Sequence, residues 1–355
     1  MSVWPSGTGI ALLLFGSFAV LMLGTARLMS VAGARQLVEM LIVTGVVLAL
    51  VGIVQKPLYA GKIYGFWTSQ QGGTPFGPFV NKNHFAGWML MVLPVALGYL
   101  CASLARALRG VRPEWRYRLL WLSSPDANKL IMAAMGIAVM GLALVLTLSR
   151  SGIGALAMAL AITGWFAERR LQGRSRKVLA GGYLVLLATL IVGWAGIETV
   201  VTHFSEPNWG EINGRSGAWA DAAATFKRHW LTGTGLNTYQ ITNLFYQQHD
   251  TQSFVSSAHN DYLQLAAEGG LVLVVAIASC LLLFVRDVRR RFAEDGASSA
   301  YWLRAGAVTG LLAIALQETV EFSLQMPGNA ALFAVVCGVA LHRTPDRRPR
   351  MSRQA

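Results

Sequence analysis

The sequence predicts an all-α, polytopic membrane protein of about nine transmembrane helices with a large, partly helical outer loop. Hydrophobic residues make up 54% of the chain and charged residues 13%, and the mean hydropathy is +0.48. Soluble domains have about 45 to 50% apolar and roughly 25% charged residues, so this chain is too apolar for a soluble globule. Long apolar runs recur along it, and basic residues cluster between alternate runs. We therefore expect a single membrane domain over residues 1–355.

The apolar runs predict the individual spans. A helix needs about 20 residues, with a range of roughly 17 to 25, to cross the hydrocarbon of a bilayer. Runs of this kind predict spans at 9–26, 37–54, 85–104, 130–148, 152–167, 178–197, 262–285, 302–320 and 328–342. The fifth and ninth of these are short. Residues 1–8 lack the positive region of a signal peptide, so the first span is expected to be retained.

The basic residues predict the topology, because short cytoplasmic loops carry an excess of Lys and Arg. An inside C-terminus places all but seven of the 30 basic residues in or beside the inner segments. Those segments are 25–36, 105–129, 168–177, 286–301 and the basic tail 343–355. The seven outer residues are Lys56, Lys62, Lys82, Arg150, Arg215, Lys227 and Arg228. The N-terminus is therefore predicted to lie outside and the C-terminus inside.

The net charge of +13 is explained by the same clusters. They lie just inside predicted spans, where they fix orientation and meet anionic lipid headgroups, so nucleic-acid binding is not expected. Cys101, Cys280 and Cys337 all lie in apolar spans and are predicted to be small buried hydrophobes. No cysteine or histidine spacing typical of a metal site is present, and no cofactor is expected.

Two outer segments, 55–84 and 198–259, are longer than connections require. Long loops in compact proteins are usually functional. In the larger loop, 216–230 has an apolar stripe at helical spacing, which predicts a helix that lies in the membrane interface or packs on the bundle. The stripe consists of Trp219, Ala222, Ala223, Phe226 and Trp230.

Two outer arginines are candidates for binding an anion. Arg215 is predicted to begin the loop helix with Ser216 as its N-cap, so that guanidinium and free backbone N–H groups suit a phosphate or pyrophosphate. A lipid-headgroup contact or a salt bridge is the alternative. Arg150 lies in TLSRSGIG (147–154), the whole outer connection between the fourth and fifth spans. An Arg near membrane depth is costly and therefore a functional candidate, although it also suits a helix anchor.

The stretch AHNDYLQLAAEGG (258–270) places polar residues at the entrance of the seventh span. Asn260, Gln264 and Glu268 recur at helical spacing, so they are predicted to face a cavity or the bundle interior. His259 precedes them, and a neutral imidazole accepts a proton from a hydroxyl nucleophile. Helix capping and interhelical hydrogen bonds are the alternative.

The segment FGPFVNKNHFAGWML (76–90) brings Asn83 and His84 into the third span in the same manner. Two polar helix entries on one side predict one shared site. His84 is equally compatible with an ordinary interface residue.

These motifs resemble a known family. VNKNHFAG, TLSRSG, GTGLNTY and AHNDYLQLAAEGG are similar to the O-antigen ligase family, which comprises WaaL-type ligases, Wzy-type polymerases and bacterial O-oligosaccharyltransferases. The resemblance covers about residues 76–290, and HNDYLQL with the following EGG is its most specific part. It implies an all-helical membrane glycosyltransferase of the GT-C type. The implied donor is a glycan on undecaprenyl diphosphate, used without metal or nucleotide.

The resemblance also implies residue roles. By position, Arg150 and Arg215 are implied to hold the donor diphosphate, and His259 is implied to be catalytic near the acceptor hydroxyl. The residues expected to support the acceptor side are Asn83, His84, Tyr239, Asn260, Gln264 and Glu268. Tyr239 matches a glycine-rich turn together with Gly233 and Gly235, for which a structural role is expected.

The predicted reaction is an inverting transfer to a sugar hydroxyl of lipid A core, at the periplasmic face of a bacterial inner membrane. An O-antigen or exopolysaccharide polymerase and a protein O-oligosaccharyltransferase are alternatives with the same donor. A flippase for the lipid-linked glycan is the alternative from another class, but no pair of broken helices in corresponding halves indicates an inverted repeat.

Ligases of the family commonly have more spans with both ends inside. If the difference is three helices at the N-terminus, every span that this chain shares with those ligases keeps the same orientation.

Overall fold

The computed structural model describes residues 2–69, 73–107, 125–170, 209–249, 251, 254–296 and 299–344. Within these ranges the chain forms ten α-helices, one short 3-10 helix at Ser323–Gln325, and no β-strand. The α-helices are α1 Pro5–Ala32, α2 Arg35–Leu58, α3 Lys82–Ala107, α4 Pro125–Leu146, α5 Arg150–Arg170, α6 Trp209–Arg228, α7 Tyr239–Tyr246, α8 Asp261–Asp295, α9 Ser299–Gln317 and α10 Pro327–Leu341.

The predicted spans correspond closely to these helices. Six of the described helices, α1, α2, α3, α4, α8 and α9, are long and apolar enough to cross a membrane. Two shorter apolar helices, Arg150–Gly164 and Pro327–Leu341, match the two spans predicted to be short. The predicted span at 178–197 lies outside the described residues. The prediction of an all-α polytopic membrane protein is confirmed.

The third helix, α3, is the centre of the bundle and is buried along most of its length. It packs most closely against α9, where a Cβ atom on Gly98 would lie 2.4 Å from the carbonyl oxygen of Trp302. A Cβ on Gly306 would lie 2.3 Å from the carbonyl oxygen of Pro94. Glycine has no side chain, so it allows the two helix backbones to approach this closely. Close approach stabilises membrane helices because van der Waals packing, and not the hydrophobic effect, drives their association.

The helix ends gather at two ends of the bundle. The site end is the one at which α3, α5 and α8 begin and α9 ends. The chain's first residues are also there, since the Val3 N–H donates to the carbonyl oxygen of Thr234 (2.8 Å). At the opposite end, the N–H of Arg343 donates to Ser30 Oγ (2.8 Å). Within the described residues, the start of α1 therefore lies at the site end and the end of α10 at the opposite end, as the predicted topology requires. The alternation of the loops across the segments outside the described residues and the outward direction of the site end stay predictions.

Helix α8 is broken at Gly270, whose backbone angles are φ 60° and ψ −165°. The break frees backbone groups on both sides, and residues 230–235 (WLTGTG), the glycine clasp, bind them. The N–H groups of Leu271 and Val272 donate to the carbonyls of Trp230 (2.7 Å) and Leu231 (3.1 Å). In return, the carbonyls of Ala267 and Glu268 accept from Thr234 and Gly235. These four bonds satisfy the backbone groups that the break leaves without a helical partner. An unsatisfied backbone group at membrane depth costs on the order of several kcal/mol.

The glycines of the two motifs allow this contact. A Cβ on Gly233 would lie 2.2 Å from the carbonyl carbon of Glu268, and one on Gly270 would lie 2.5 Å from the backbone nitrogen of Gly233. Both residues have positive φ values, 65° and 60°, which glycine adopts without strain. The GTG and EGG motifs are therefore two halves of one backbone contact, which confirms the structural role expected for the glycine-rich turn.

Candidate functional site

The site end is organised by the connection between α9 and α10. This connection, residues 318–325 (ETVEFSLQ), is called here the acidic turn. It holds the start of α8, because the N–H of Asp261 donates to the carbonyl oxygen of Glu318 (3.1 Å). Asn260 Nδ2 donates to the carbonyl oxygen of Thr319 (2.8 Å). The predicted seventh and eighth spans are therefore tied together at the site end.

Glu321 of the acidic turn joins three further elements. Its side chain is fully buried, and its Oε1 accepts hydrogen bonds from Arg215 on α6 (2.9 Å) and Asn83 Nδ2 on α3 (2.7 Å). Ser151 on α5 donates from Oγ to the same oxygen at 3.5 Å. One carboxylate thus draws together the three segments that carry the predicted Asn83, Arg150 and Arg215.

The prediction that Arg215 begins the loop helix with Ser216 as its N-cap is wrong. Helix α6 begins at Trp209, so Arg215 lies within it and the backbone around Ser216 is helical. The sequence NG before Arg215 suggested a helix boundary, yet Asn and Gly lower helix stability by only about 1 kcal/mol or less relative to Ala. Burial of Ala218 and Ala222 against the bundle outweighs that cost. The Arg215 side chain remains 25% exposed beside Glu321.

Arg150 is the first residue of α5. Ser149 caps this helix, because its Oγ accepts the N–H of Gly152 (3.2 Å). Thr147 Oγ1 in turn accepts the N–H of Ser149 (3.1 Å), and Leu148 adopts a positive φ of 53°. The TLSRSG motif is therefore a tight helix start that fixes a half-buried Arg150 at the site end, adjacent to the Ser151 that contacts Glu321.

The two histidines meet on one aromatic ring. The rings of His84 and His259 pack against Phe322 at centroid distances of 4.7 and 4.8 Å, with interplanar angles of 82° and 89°. His259 has a positive φ of 50°, and its carbonyl oxygen accepts a hydrogen bond from Trp219 Nε1 (3.3 Å). The two polar helix entries therefore meet at Phe322, and one shared functional site at this point stays a prediction.

Asn260 and Gln264 make structural hydrogen bonds. Asn260 is the N-cap of α8, since its Oδ1 accepts the N–H of Leu263 (3.0 Å). Gln264 is buried, and its Oε1 accepts the N–H of Ala258 (3.0 Å). Gln264 Nε2 lies 3.3 Å from the side-chain oxygen of Gln325 in the acidic turn. These bonds fix the backbone on both sides of His259.

Glu268 and Tyr239 hold the glycine-rich turn to α8. The two carboxylate oxygens of Glu268 accept the N–H groups of Asn237 (2.7 Å) and Tyr239 (3.0 Å). The Tyr239 hydroxyl donates to the carbonyl oxygen of Ala218 on α6 (3.2 Å). Burial, with the nearby charges of Asp221 and Glu268, raises the pKa of Tyr239, which keeps the phenol protonated. Gln264 and Glu268 thus face the bundle interior, one of the two placements predicted.

A second buried carboxyl of the acidic turn, Glu318, faces Asp261. Burial and the negative charge of Asp261 raise the pKa of Glu318 to about 10. Glu318 is therefore protonated at neutral pH and donates a hydrogen bond to Asp261. Gln325 Nε2 also donates to Asp261 Oδ1 (2.7 Å). The start of α8 is therefore fixed to the acidic turn by side chains as well as by backbone.

The comparison with protein families agrees with the motifs at the site end. Residues 135–278 match the family model described as O-antigen ligase. The matched segment covers less than half of the chain; it is similar to an O-antigen ligase domain and is called by that name here. The match and the six long apolar helices support a multi-pass membrane glycosyltransferase of the O-antigen ligase or polymerase type. No curated protein and no solved structure matches the chain.

The O-antigen ligase domain contains Arg150, Arg215 and His259, but the site extends beyond it. Asn83 and His84 precede the domain, and the acidic turn follows it. Sequence reasoning missed Glu318, Glu321 and Phe322. The sequence does indicate the two glutamates, because they lie in a short connection between two apolar spans, where ionisable groups are costly.

Among the residues that the structure describes, no group of three or more His, Cys, Asp or Glu side chains has the arrangement of a metal site. A cationic group that contacts Glu321 is Arg215 of α6 (2.9 Å). Arginine presents five N–H donors in a fixed planar fork, which suits the oxygens of phosphate groups.

Proposed function

We propose that this protein transfers a glycan from undecaprenyl diphosphate to a sugar hydroxyl of lipid A core, at the periplasmic face of a bacterial inner membrane. One observation carries the proposal. In the acidic turn, Glu321 binds Arg215 and Ser151 at the start of α5. The adjacent Phe322 packs against His259. An anion-binding group and a proton acceptor are thereby brought to the same end of a membrane bundle.

The arginines are proposed to bind the donor diphosphate. Glu321 receives a hydrogen bond from one terminal nitrogen of Arg215, and the guanidinium is partly exposed, so further donors are accessible. Arg150 and the N-terminus of α5 add positive potential at the same end. As the diphosphate leaves it gains negative charge, and fixed cationic donors that stabilise such charge often supply the largest catalytic contribution. The proposed step needs no metal, so transfer is expected to proceed in the presence of EDTA.

His259 is proposed to be the general base. The acceptor hydroxyl oxygen attacks the anomeric carbon of the donor sugar, and the bond from that carbon to the phosphate oxygen breaks. The electron pair leaves with the diphosphate, while the imidazole of His259 takes the hydroxyl proton. Attack from the face opposite the leaving group inverts the anomeric configuration. The positive φ of His259 and its contact with Phe322 hold the imidazole in one place for this role.

Single substitutions in purified protein test the proposal. In proteoliposomes with an undecaprenyl-diphosphate glycan and lipid A core, His259→Ala and Arg215→Ala are each expected to lower the initial rate of transfer at least about a hundredfold, in line with general-base and oxyanion-type contributions. His249→Ala is the matched histidine control, since His249 is 52% exposed and pairs with Asp221 of α6, apart from Glu321 and Phe322. Wild-type rates in both site variants would refute the proposed roles.

The acceptor is tested in cells. Deletion of the gene is expected to leave long lipid-linked chains that are not attached to lipid A core. Single repeat units instead of long chains would identify a polymerase. Movement of labelled lipid-linked glycan across liposomes, without a transfer product, would identify a flippase and contradict the proposed reaction.

A further inference from the structure

Four large apolar side chains of the outer loop are exposed at the site end. Trp230 is 54% exposed, Leu231 49%, Leu244 63% and Phe245 74%; these four are called here the loop patch. None lies in a predicted span. The two parts of the patch are adjacent, because the ring of Tyr246 at the end of α7 packs on that of His229 (5.7 Å) and under the guanidinium of Arg228 (4.8 Å).

The glycine clasp fixes the level of the patch relative to the bilayer. The carbonyls of Trp230 and Leu231 accept the N–H groups of Leu271 and Val272, the first residues of α8 after its break. Leu271 and Val272 are themselves exposed, by 41% and 59%, and begin the apolar face that continues to Val285. The loop patch is therefore continuous with the lipid-facing surface of α8.

The length of that surface shows where the bilayer ends. The apolar run from Leu271 to Val285 contains fifteen residues and is followed by Arg286. At about 1.5 Å per residue it covers about 22 Å, whereas the hydrocarbon of a bilayer is about 30 Å thick. With Arg286 at the opposite boundary, the hydrocarbon extends roughly 8 Å beyond Leu271, toward the glycine clasp. A tilted α8 covers still less, so the patch lies within this remaining layer.

The residues that border the patch suit lipid headgroups. Lys227 and Arg228, the last two residues of α6, are both exposed. Cationic side chains next to an apolar surface place their aliphatic stems along it and their charges at the level of lipid phosphates. Tryptophan is itself enriched at this boundary, as is tyrosine.

We propose that the loop patch is inserted into the phospholipid leaflet on the site's side of the membrane. Phospholipid is its occupant, with acyl chains against Trp230, Leu231, Leu244 and Phe245 and headgroup phosphates against Lys227 and Arg228. This anchor fixes the height of α6, and hence of Arg215, near the headgroup layer. The proposal stands on exposure, backbone register and hydrophobic length, and it does not depend on the proposed reaction.

Site-directed fluorescence quenching measures the depth of the patch. In a background with Cys101, Cys280 and Cys337 replaced by Ala, Phe245→Cys is labelled with an environment-sensitive fluorophore. The full chain is reconstituted into phosphatidylethanolamine and phosphatidylglycerol liposomes that carry nitroxide lipids at shallow or deep positions. A separate variant that retains native Cys280, exposed on α8, with only Cys101 and Cys337 replaced by Ala, is the deep control. Exposed Gln248→Cys in the cysteine-free background is the aqueous control. Leu244→Cys replaces Phe245→Cys if the latter does not fold.

The expected result is strong quenching of the Phe245 label by shallow nitroxides, weaker quenching by deep ones, and protection from aqueous iodide. The Cys280 label should show the reverse order of depth. Quenching by iodide as strong as that of the Gln248 label would place the patch in water and overturn the proposal. Protection from both iodide and nitroxides would also overturn it, because protein, such as a second copy, would then cover the patch.

Discussion

At the scale of single residues, Glu321 determines how Arg215 is held. Glu321→Gln preserves the shape and an acceptor for Asn83 but removes the buried counter-charge of the guanidinium. We expect transfer to slow at least about tenfold, or about 1.4 kcal/mol in the activation free energy, because Arg215 is no longer fixed for the diphosphate. Initial rates in proteoliposomes measure this. Glu294→Gln, which alters the pairs of an exposed carboxylate with Arg290 and Arg291 at the opposite end, is the control and should leave the rate unchanged.

Glu318 adds a pH dependence to stability. Because burial beside Asp261 raises its pKa to about 10, the folded protein retains a proton that the unfolded chain releases above about pH 4.3. The folded state thus binds more protons between these values, and this carboxyl makes the protein less stable as pH rises from about 4.3 to 10. Glu318→Gln, which stays neutral, should unfold at a higher temperature than wild type at pH 8, with a smaller difference at pH 5. Parallel melting curves at both pH values would contradict this account.

The sequence marked many of the site's residues but not their partners. Asn83, His84 and His259 stood out because polar groups at the entrance of an apolar helix require a cavity or a buried contact. Glu321 and Phe322 lie in a similar position, yet their importance comes from joining four separate helices. Sequence spacing gives the position of a residue on its own helix and does not show which helix ends meet.

At the scale of elements, α8 shows the same limit. Its apolar run predicted one continuous span from residue 262, whereas the helix is broken at Gly270. Glycine is frequent in membrane helices, so Gly269 and Gly270 are a weak signal for a break. The break is stable only because the glycine clasp, from a different part of the chain, binds the freed backbone groups.

Gly270→Ala tests the clasp. The added Cβ would lie 2.5 Å from backbone atoms of Leu231 and Gly233, in a backbone region that is essentially restricted to glycine. We expect a lower unfolding temperature and faster amide exchange at Leu271 and Val272, whose N–H groups bond to the clasp. Gly154→Ala is the control, since a Cβ there meets no atom within 4 Å and alanine favours the interior of α5. Equal stability of the two variants would show that the clasp does not constrain the break.

At the scale of the whole molecule, the distribution of basic residues predicted which loops share an end. The start of α1 lies at the site end, through Val3 and Thr234, and the end of α10 lies at the opposite end. There, buried Arg304 binds Asp295 (2.8 Å) and the carbonyl of His342 (2.9 Å). The positive-inside rule predicts that the site end lies outside, because Arg286, Arg290 and their basic neighbours lie at the other end.

Cysteine labelling tests this orientation. In the cysteine-free background, Gln248→Cys at the site end should react with a membrane-impermeant maleimide in intact spheroplasts. Arg290→Cys, at a position 68% exposed near the opposite end of α8, should react only after permeabilisation. The reverse pattern would place Arg150, Arg215 and His259 in the cytoplasm. It would contradict the proposed reaction, which takes place at the periplasmic face.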